Sequence, residues 1–127
     1  MSAPLWRFFF VLKKFNYKLE TTENEYSDRD FTINISIPEF TCLCPRTGLP
    51  DFAIINIEYI PLKLLVELKS LKFYMLNFRN LGIFHEHVTN KILDDFRVSC
   101  SPKKLTVTSV FHARGGINTT VTSSYPK

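Results

Sequence analysis

Apolar and polar residues alternate with a period of two over four stretches of this chain. At two further stretches apolar residues recur at helical spacing. Phe31, Ile33, Ile35 and Ile37 alternate with Thr32, Asn34 and Ser36, which predicts a strand with one buried face, ending near Pro38. Phe52 to Ile60 repeats the pattern. Ile55, Ile57 and Tyr59 fall on one side, Asn56 and Glu58 on the other, and Pro61 stops the run. Leu105, Val107, Ser109 and Phe111 alternate again, as residues 118–124 do more weakly, with Arg114-Gly115-Gly116 as the turn between them. Leu71, Tyr74, Met75 and Phe78 stand at i, i+3, i+4 and i+7, a helical stripe. Phe84, Val88, Ile92 and Phe96 follow at intervals of four, with Leu93 alongside, and Ser101-Pro102 closes this second helix. Asn80 to Gly82 separates the two. The order strand, strand, helix, helix, strand, strand (ββααββ) predicts an α+β domain with its helices on one face of an antiparallel sheet.

Two segments fall outside these periods. Residues 18–29 are polar, with no apolar spacing, and are expected to form a loop. Residues 1–16 are aromatic and basic, with Trp6 and Phe8-Phe9-Phe10, and read as a short N-terminal arm. The apolar run from Leu5 to Leu12 contains Arg7 and is too short for a bilayer, which needs ~20 apolar residues. No signal-peptide pattern accompanies it, so a cytoplasmic protein without membrane contact is expected.

The chain of 127 residues suits one domain, 1–127, and twelve Phe supply bulk for a core. That core is not generous, so self-association is a natural way to bury more. A net charge of +4 favours an anionic ligand such as a phosphorylated cofactor, and is too modest to indicate a nucleic-acid surface. The three cysteines, Cys42, Cys44 and Cys100, form no metal-ligand quartet and read as free thiols in a reducing compartment. Cys42 and Cys44 are too close in sequence for an easy disulfide within an extended strand.

Candidate chemistry concentrates around Cys44. Pro45-Arg46-Thr47-Gly48-Leu49-Pro50 joins it to Asp51, and Pro and Gly make this a shaped loop. A thiol and a carboxylate at the two ends of such a loop suit a nucleophile and its acid. Taken singly, each residue has a plainer reading. Cys44 could be a small buried hydrophobe, Asp51 a turn cap, Glu67 a solvated strand residue, and Lys69 and Lys72 a solvated helix face. His85, Glu86 and His87 are adjacent in the first turn of the second helix. The macrodipole explains a carboxylate there but not the whole cluster. A carboxylate also matches the N–H edge of a guanine-like base. Arg114-Gly115-Gly116 reads as a hairpin turn, and equally as a cradle for phosphate.

Together these pieces resemble the 7-cyano-7-deazaguanine reductases of queuosine biosynthesis, the QueF family of nitrile reductases. The resemblance runs from about Tyr26 to the Arg-Gly-Gly turn. It is carried by Pro38-Glu39-Phe40-Thr41, Leu43-Cys44-Pro45 through Asp51-Phe52-Ala53, Val66 to Tyr74, Phe78-Arg79-Asn80 and Phe84-His85-Glu86. The Glu-Leu-Lys-Ser-Leu-Lys segment at 67–72 distinguishes these reductases from the related GTP cyclohydrolase I. Leu49 and Ala113 depart from the usual Gln and Pro, and the first sixteen residues match poorly.

The resemblance implies a tunnelling fold, with a four-stranded antiparallel sheet and two helices. It implies stacked rings with active sites between subunits. It implies a nitrile reduced to an amine with NADPH as cofactor. Cys44 would form a covalent thioimide and Asp51 would shuttle protons. Val66, Glu67, Leu68, His85 and Glu86 would hold the substrate. Leu68, Lys69, Arg114 and Gly115 would contact the cofactor. No metal is implied. Three rivals remain. One is an amidinotransferase of the same superfamily, which would use the same thioimide with ammonia. Another is a zinc-dependent cyclohydrolase, for which the Cys and His spacings give no clear ligand motif. The last is a non-catalytic RNA-binding module, whose affinity would fall steeply with salt.

Overall fold

The computed structural model describes residues 18–127, so the arm expected at 1–16 lies outside the described residues. Strands β2 (Ile33–Leu43), β3 (Pro50–Ile60), β5 (Lys104–Arg114) and β6 (Ile117–Tyr125) form an antiparallel sheet in the order β2-β3-β5-β6. Helices α1 (Leu68–Leu76) and α2 (His85–Cys100) lie between β3 and β5 in the chain. This is the ββααββ order that the periodicities predict.

Alternation sets the faces. Ala53, Ile55, Ile57 and Tyr59 point inward from β3 and meet Phe111, Ser109, Val107 and Leu105 of β5 across the ladder. On the outer face Thr106 meets Ser124 and Thr108 meets Thr122 through their hydroxyls. Helix α2 covers the inner face over β5 and β6, burying Val88, Ile92 and Phe96. Phe96 meets Tyr59 edge-on at 4.8 Å. Each such buried side chain contributes about 1.5–3 kcal/mol relative to exposure. Helix α1 buries Leu71, Tyr74 and Met75, and the Tyr74 hydroxyl donates to Asp95 of α2 at 2.6 Å. Phe78 lies just beyond α1 and joins the core between Phe40 and Tyr74.

Three expectations are corrected. The first strand does not end near Pro38. A bulge between Ile37 and Phe40 absorbs one extra residue, and pairing with β3 continues to Leu43. The bulge also reverses the alternation, so that inward positions change from Ile33, Ile35 and Ile37 to Phe40 and Cys42. Residues 18–29 are not all loop. Thr21–Glu23 forms β1 and pairs antiparallel with β4 (Leu64–Val66). Hydrogen bonds hold this pair more than burial does, including Asn24 Nδ2 to the Leu62 carbonyl at 2.8 Å and Glu67 N–H to the Glu20 carbonyl at 2.8 Å. Phe84 is not part of the buried stripe; it is the N-cap residue of α2 and is part-exposed.

Candidate active site

The connection from β2 to β3 is a closed loop. The Cys44 N–H donates to the Leu49 carbonyl at 2.8 Å, and the Gly48 N–H donates to the Cys44 carbonyl at 2.8 Å. Gly48 has φ +72°, a conformation that favours glycine, so Gly between Thr47 and Leu49 is what lets the turn close. Thr47 Oγ1 accepts from the Leu49 N–H at 3.2 Å.

The loop sets the thiol's chemistry. Hydrogen bonding from the Thr47 side chain holds the Cys44 thiol below its ordinary value, with help from the Arg46 and Thr47 backbone. Partial desolvation and the Asp51 charge work against this lowering. The thiolate is the nucleophilic form, so the net effect favours reactivity. Cys42, two residues earlier, is fully buried, and burial pushes its thiol up to about 12, with the Asp51 and Cys44 charges adding to the rise. Cys100 is likewise raised by burial, to about 11. All three cysteines are free.

Asp51 is not a turn cap. It is the second residue of β3, its side chain is 10% exposed, and both of its oxygens are engaged. Oδ2 lies 3.2 Å from His85 Nε2, and Oδ1 accepts from Arg114 Nη1 at 3.0 Å. Three elements therefore meet at this carboxylate: the start of β3, the start of α2 and the end of β5. The sheet register explains the last of these. The pairing of β3 with β5 runs as far as Ala53 and Phe111, two residues from Asp51 and three from Arg114, which puts the two side chains within reach of each other. A register irregularity between Phe111 and Arg114 separates the end of β5 from the regular ladder.

His85 is the first residue of α2, and its ring stacks on Phe111 with centroids 3.6 Å apart and planes 4° apart. Thr89 Oγ1 lies 2.8 Å from the His85 carbonyl and 2.8 Å from Ser109 Oγ, in the buried interior. The first turn of α2 is thus tied to β5, and the imidazole has little freedom to leave Asp51. The α2 N-terminus also places a positive dipole end near this anion. Glu86 follows His85, exposed in the same turn.

The remaining expected site residues lie around the start of α1, and no described hydrogen bond or ion pair links them to Asp51. Val66 ends β4 with its side chain in the core, and its N–H donates to the Tyr59 hydroxyl at 3.2 Å. Glu67 is the N-cap of α1, accepting from the Lys69 N–H at 2.8 Å and the Ser70 N–H at 2.6 Å. The amide of Ser70, then that of Lys69, holds its carboxyl below the usual carboxylate range. Neither a solvated strand residue nor a free carboxylate describes Glu67. Leu68 and Lys69 are exposed in the first turn of α1. Leu68 also lines a cavity of about 800 Å³ with Phe40, Phe52, Lys72, Arg79 and His112, which Cys44, Asp51 and His85 do not line.

Sequence reasoning missed the link from Arg114 to Asp51, the role of Thr47 beside the thiol, and the Phe111 platform under His85. Phe111 carried a signal, since its alternation places it on the inner face one bulge away from Arg114. Among the described residues no three or more His, Cys, Asp or Glu side chains converge as metal ligands. No described helix is long and apolar enough to cross a membrane.

Comparison with known proteins gives the family and the fold. Residues 50–127 match the family model described as QueF-like protein. The chain is 63% identical over 107 residues to an NADPH-dependent 7-cyano-7-deazaguanine reductase from Chloroherpeton thalassium, covering 84% of this chain and 92% of that protein. It is 54% identical over 110 residues to a protein of the same name from Nitrosococcus oceani, covering 87% and 85% respectively. The crystal structure of the apo archaeosine synthase QueF-Like superposes with a TM-score of 0.69, covering 73% of this chain and 91% of that one. At 19% identity that likeness shows a shared fold, which is the tunnelling fold.

Proposed function

The chain belongs to the QueF-like family, and from that membership we propose that it is an NADPH-dependent reductase of 7-cyano-7-deazaguanine. The reaction takes the nitrile to the primary amine of 7-aminomethyl-7-deazaguanine, a step toward queuosine in tRNA. The observation that carries this reading is geometric: Cys44 stands at one end of a closed loop, and Asp51, at the other end, is held between His85 and Arg114.

Cys44 Sγ adds to the nitrile carbon. The S–C bond forms, one C–N π bond breaks, and Asp51 passes the thiol proton to the nitrogen. The product is a thioimide, whose C=N accepts hydride where the triple bond would not. His85 keeps Asp51 in place during this transfer. NADPH, when bound, supplies the hydride chemistry. The donor set suits its phosphates. Lys69 is exposed, and Arg114 and Gly115 occupy an exposed turn with Gly115 at φ +59°. Leu68, also exposed, offers apolar surface beside Lys69.

Glu86 presents two acceptors to the N–H edge of the deazaguanine. Glu67 already accepts two backbone N–H groups and meets the substrate through its remaining lone pairs. Val66 contributes through its backbone, since its side chain is buried.

Self-association into stacked rings belongs to the same reading. Strands β2 and β6 are the two edges of the sheet, and Leu49, Phe52, Leu68 and Leu76 are exposed. A neighbouring copy would cover both. No described hydrogen bond or ion pair joins the α1 residues to Asp51, which fits sites completed between subunits. The free thiols and the reductive chemistry fit a cytoplasmic location.

The test is intact-mass analysis of the protein mixed with 7-cyano-7-deazaguanine without NADPH. A single adduct of the nitrile's mass, absent in Cys44→Ala, is expected. No adduct on the wild-type chain would refute the thioimide.

A further inference from the structure

Arg114 belongs to the turn expected to hold cofactor phosphate, yet its guanidinium lies on the buried carboxylate that serves the earlier, cofactor-free step. We propose that Arg114 is a positioning residue for Asp51, fixing the carboxylate for thioimide formation before any cofactor is needed. The inference rests on the thioimide reading above and extends it to a residue whose expected role was cofactor contact alone.

Geometry supports this assignment. The plane of an Asp carboxylate turns freely about its last side-chain bond, and a fixed contact on each oxygen holds it. Arg114 Nη1 on Oδ1 and His85 Nε2 on Oδ2 supply these contacts from opposite elements. The imidazole is itself immobilised by the Phe111 ring and by the Thr89 bridge to β5. Two contacts leave further lone pairs on the carboxylate, enough to take the Cys44 proton and return it to the nitrile nitrogen. No electrons change hands in that step. An S–H and a C–N π bond are exchanged for an S–C and an N–H bond.

Charge supports it too. The Asp51 charge opposes ionisation of both Cys44 and Cys42. A cation 3.0 Å from Oδ1 offsets part of that opposition. Without Arg114 the carboxylate would keep only its His85 contact, and its charge would oppose the thiolate without that offset. The side chain of Arg114 is 46% exposed, so it remains accessible to a phosphate as well.

The experiment follows adduct formation by rapid quench and intact mass, with 7-cyano-7-deazaguanine and no NADPH. Arg114→Ala is expected to form the adduct roughly tenfold to a hundredfold more slowly, at an unchanged half-saturating nitrile concentration. Arg114→Lys, or added guanidinium with Arg114→Ala, is expected to restore part of the rate. Arg114→Lys carries the comparison if the alanine variant does not fold. Wild-type rates in both variants, with only the KM for NADPH raised, would overturn the proposal and leave Arg114 as a cofactor contact. A wild-type chain that forms no adduct would overturn the thioimide reading, and this inference with it.

Discussion

Replacing Asp51 by Asn is expected to make Cys44 more reactive toward a simple electrophile while making the enzyme slower. Asn keeps the shape and an acceptor for Arg114, but removes the charge. That charge opposes ionisation of Cys44, whereas the Thr47 and Arg46 hydrogen bonds that favour the thiolate remain. The thiolate fraction at neutral pH therefore rises. A lower thiol pKa also weakens intrinsic nucleophilicity, so the gain in alkylation by iodoacetamide is modest, on the order of twofold. Turnover moves the other way, because an amide cannot shuttle a proton, and loss of a general acid–base costs about 10²–10⁴ in rate. Stability also falls. A hydrogen bond to a charged group contributes about 1.5–3 kcal/mol. Asn retains part of that, and Arg114 is screened by solvent at 46% exposure. A net loss of about 1–2 kcal/mol is expected, lowering Tm by roughly 5 °C. The assay pairs alkylation kinetics with turnover on the same preparation. Slower alkylation together with lost turnover would refute the electrostatic reasoning and make Asp51 a support for the loop.

Native protein treated with iodoacetamide at neutral pH should take up one label, on Cys44. Cys42 and Cys100, raised to about 12 and about 11, should react only after unfolding, which peptide mapping would read. Thr47→Val removes the first cause of the lowered Cys44 thiol and should slow alkylation at pH 7. The deficit should close above about pH 10, where both thiols are ionised. Glu67→Gln should lower Tm at neutral pH, because the carboxylate caps α1. The folded-state value is depressed, so the cap's contribution is complete above the ordinary carboxylate range and is lost as pH falls through the folded value. The Tm gap between Glu67→Gln and wild type should thus narrow below about pH 4, and a gap independent of pH would contradict the cap.

Long periodic stretches could be read from sequence because burial on one face imposes period two or 3.6, as at Ile55-Ile57-Tyr59 and Val88-Ile92-Phe96. The Cys44 loop was equally open to reading, since Pro and Gly limit its backbone. The continuation of β2 past Pro38 was hidden because the bulge shifts the alternation by one, so Phe40 and Cys42 fall out of phase with Ile33 to Ile37. Strand β1 was hidden for another reason. Three residues carry no period, and distant backbone groups near Leu62 to Glu67 hold them. Arg114 and Asp51 are 63 positions apart, and the pairing of β3 with β5, which reaches Ala53 and Phe111, is what brings their ends together. Glu67 read singly as a solvated strand residue, because a cap carries no periodicity and its bonds go to backbone amides two and three positions on.

The central claim is tested most directly by following NADPH absorbance while the protein acts on a known amount of 7-cyano-7-deazaguanine, with Cys44→Ala alongside. Reduction of a nitrile to an amine takes four electrons, so about two NADPH should disappear per nitrile, and none with Cys44→Ala. A Cys44 adduct that forms without any NADPH consumption would contradict the reductase and point to the amidinotransferase chemistry of the same fold.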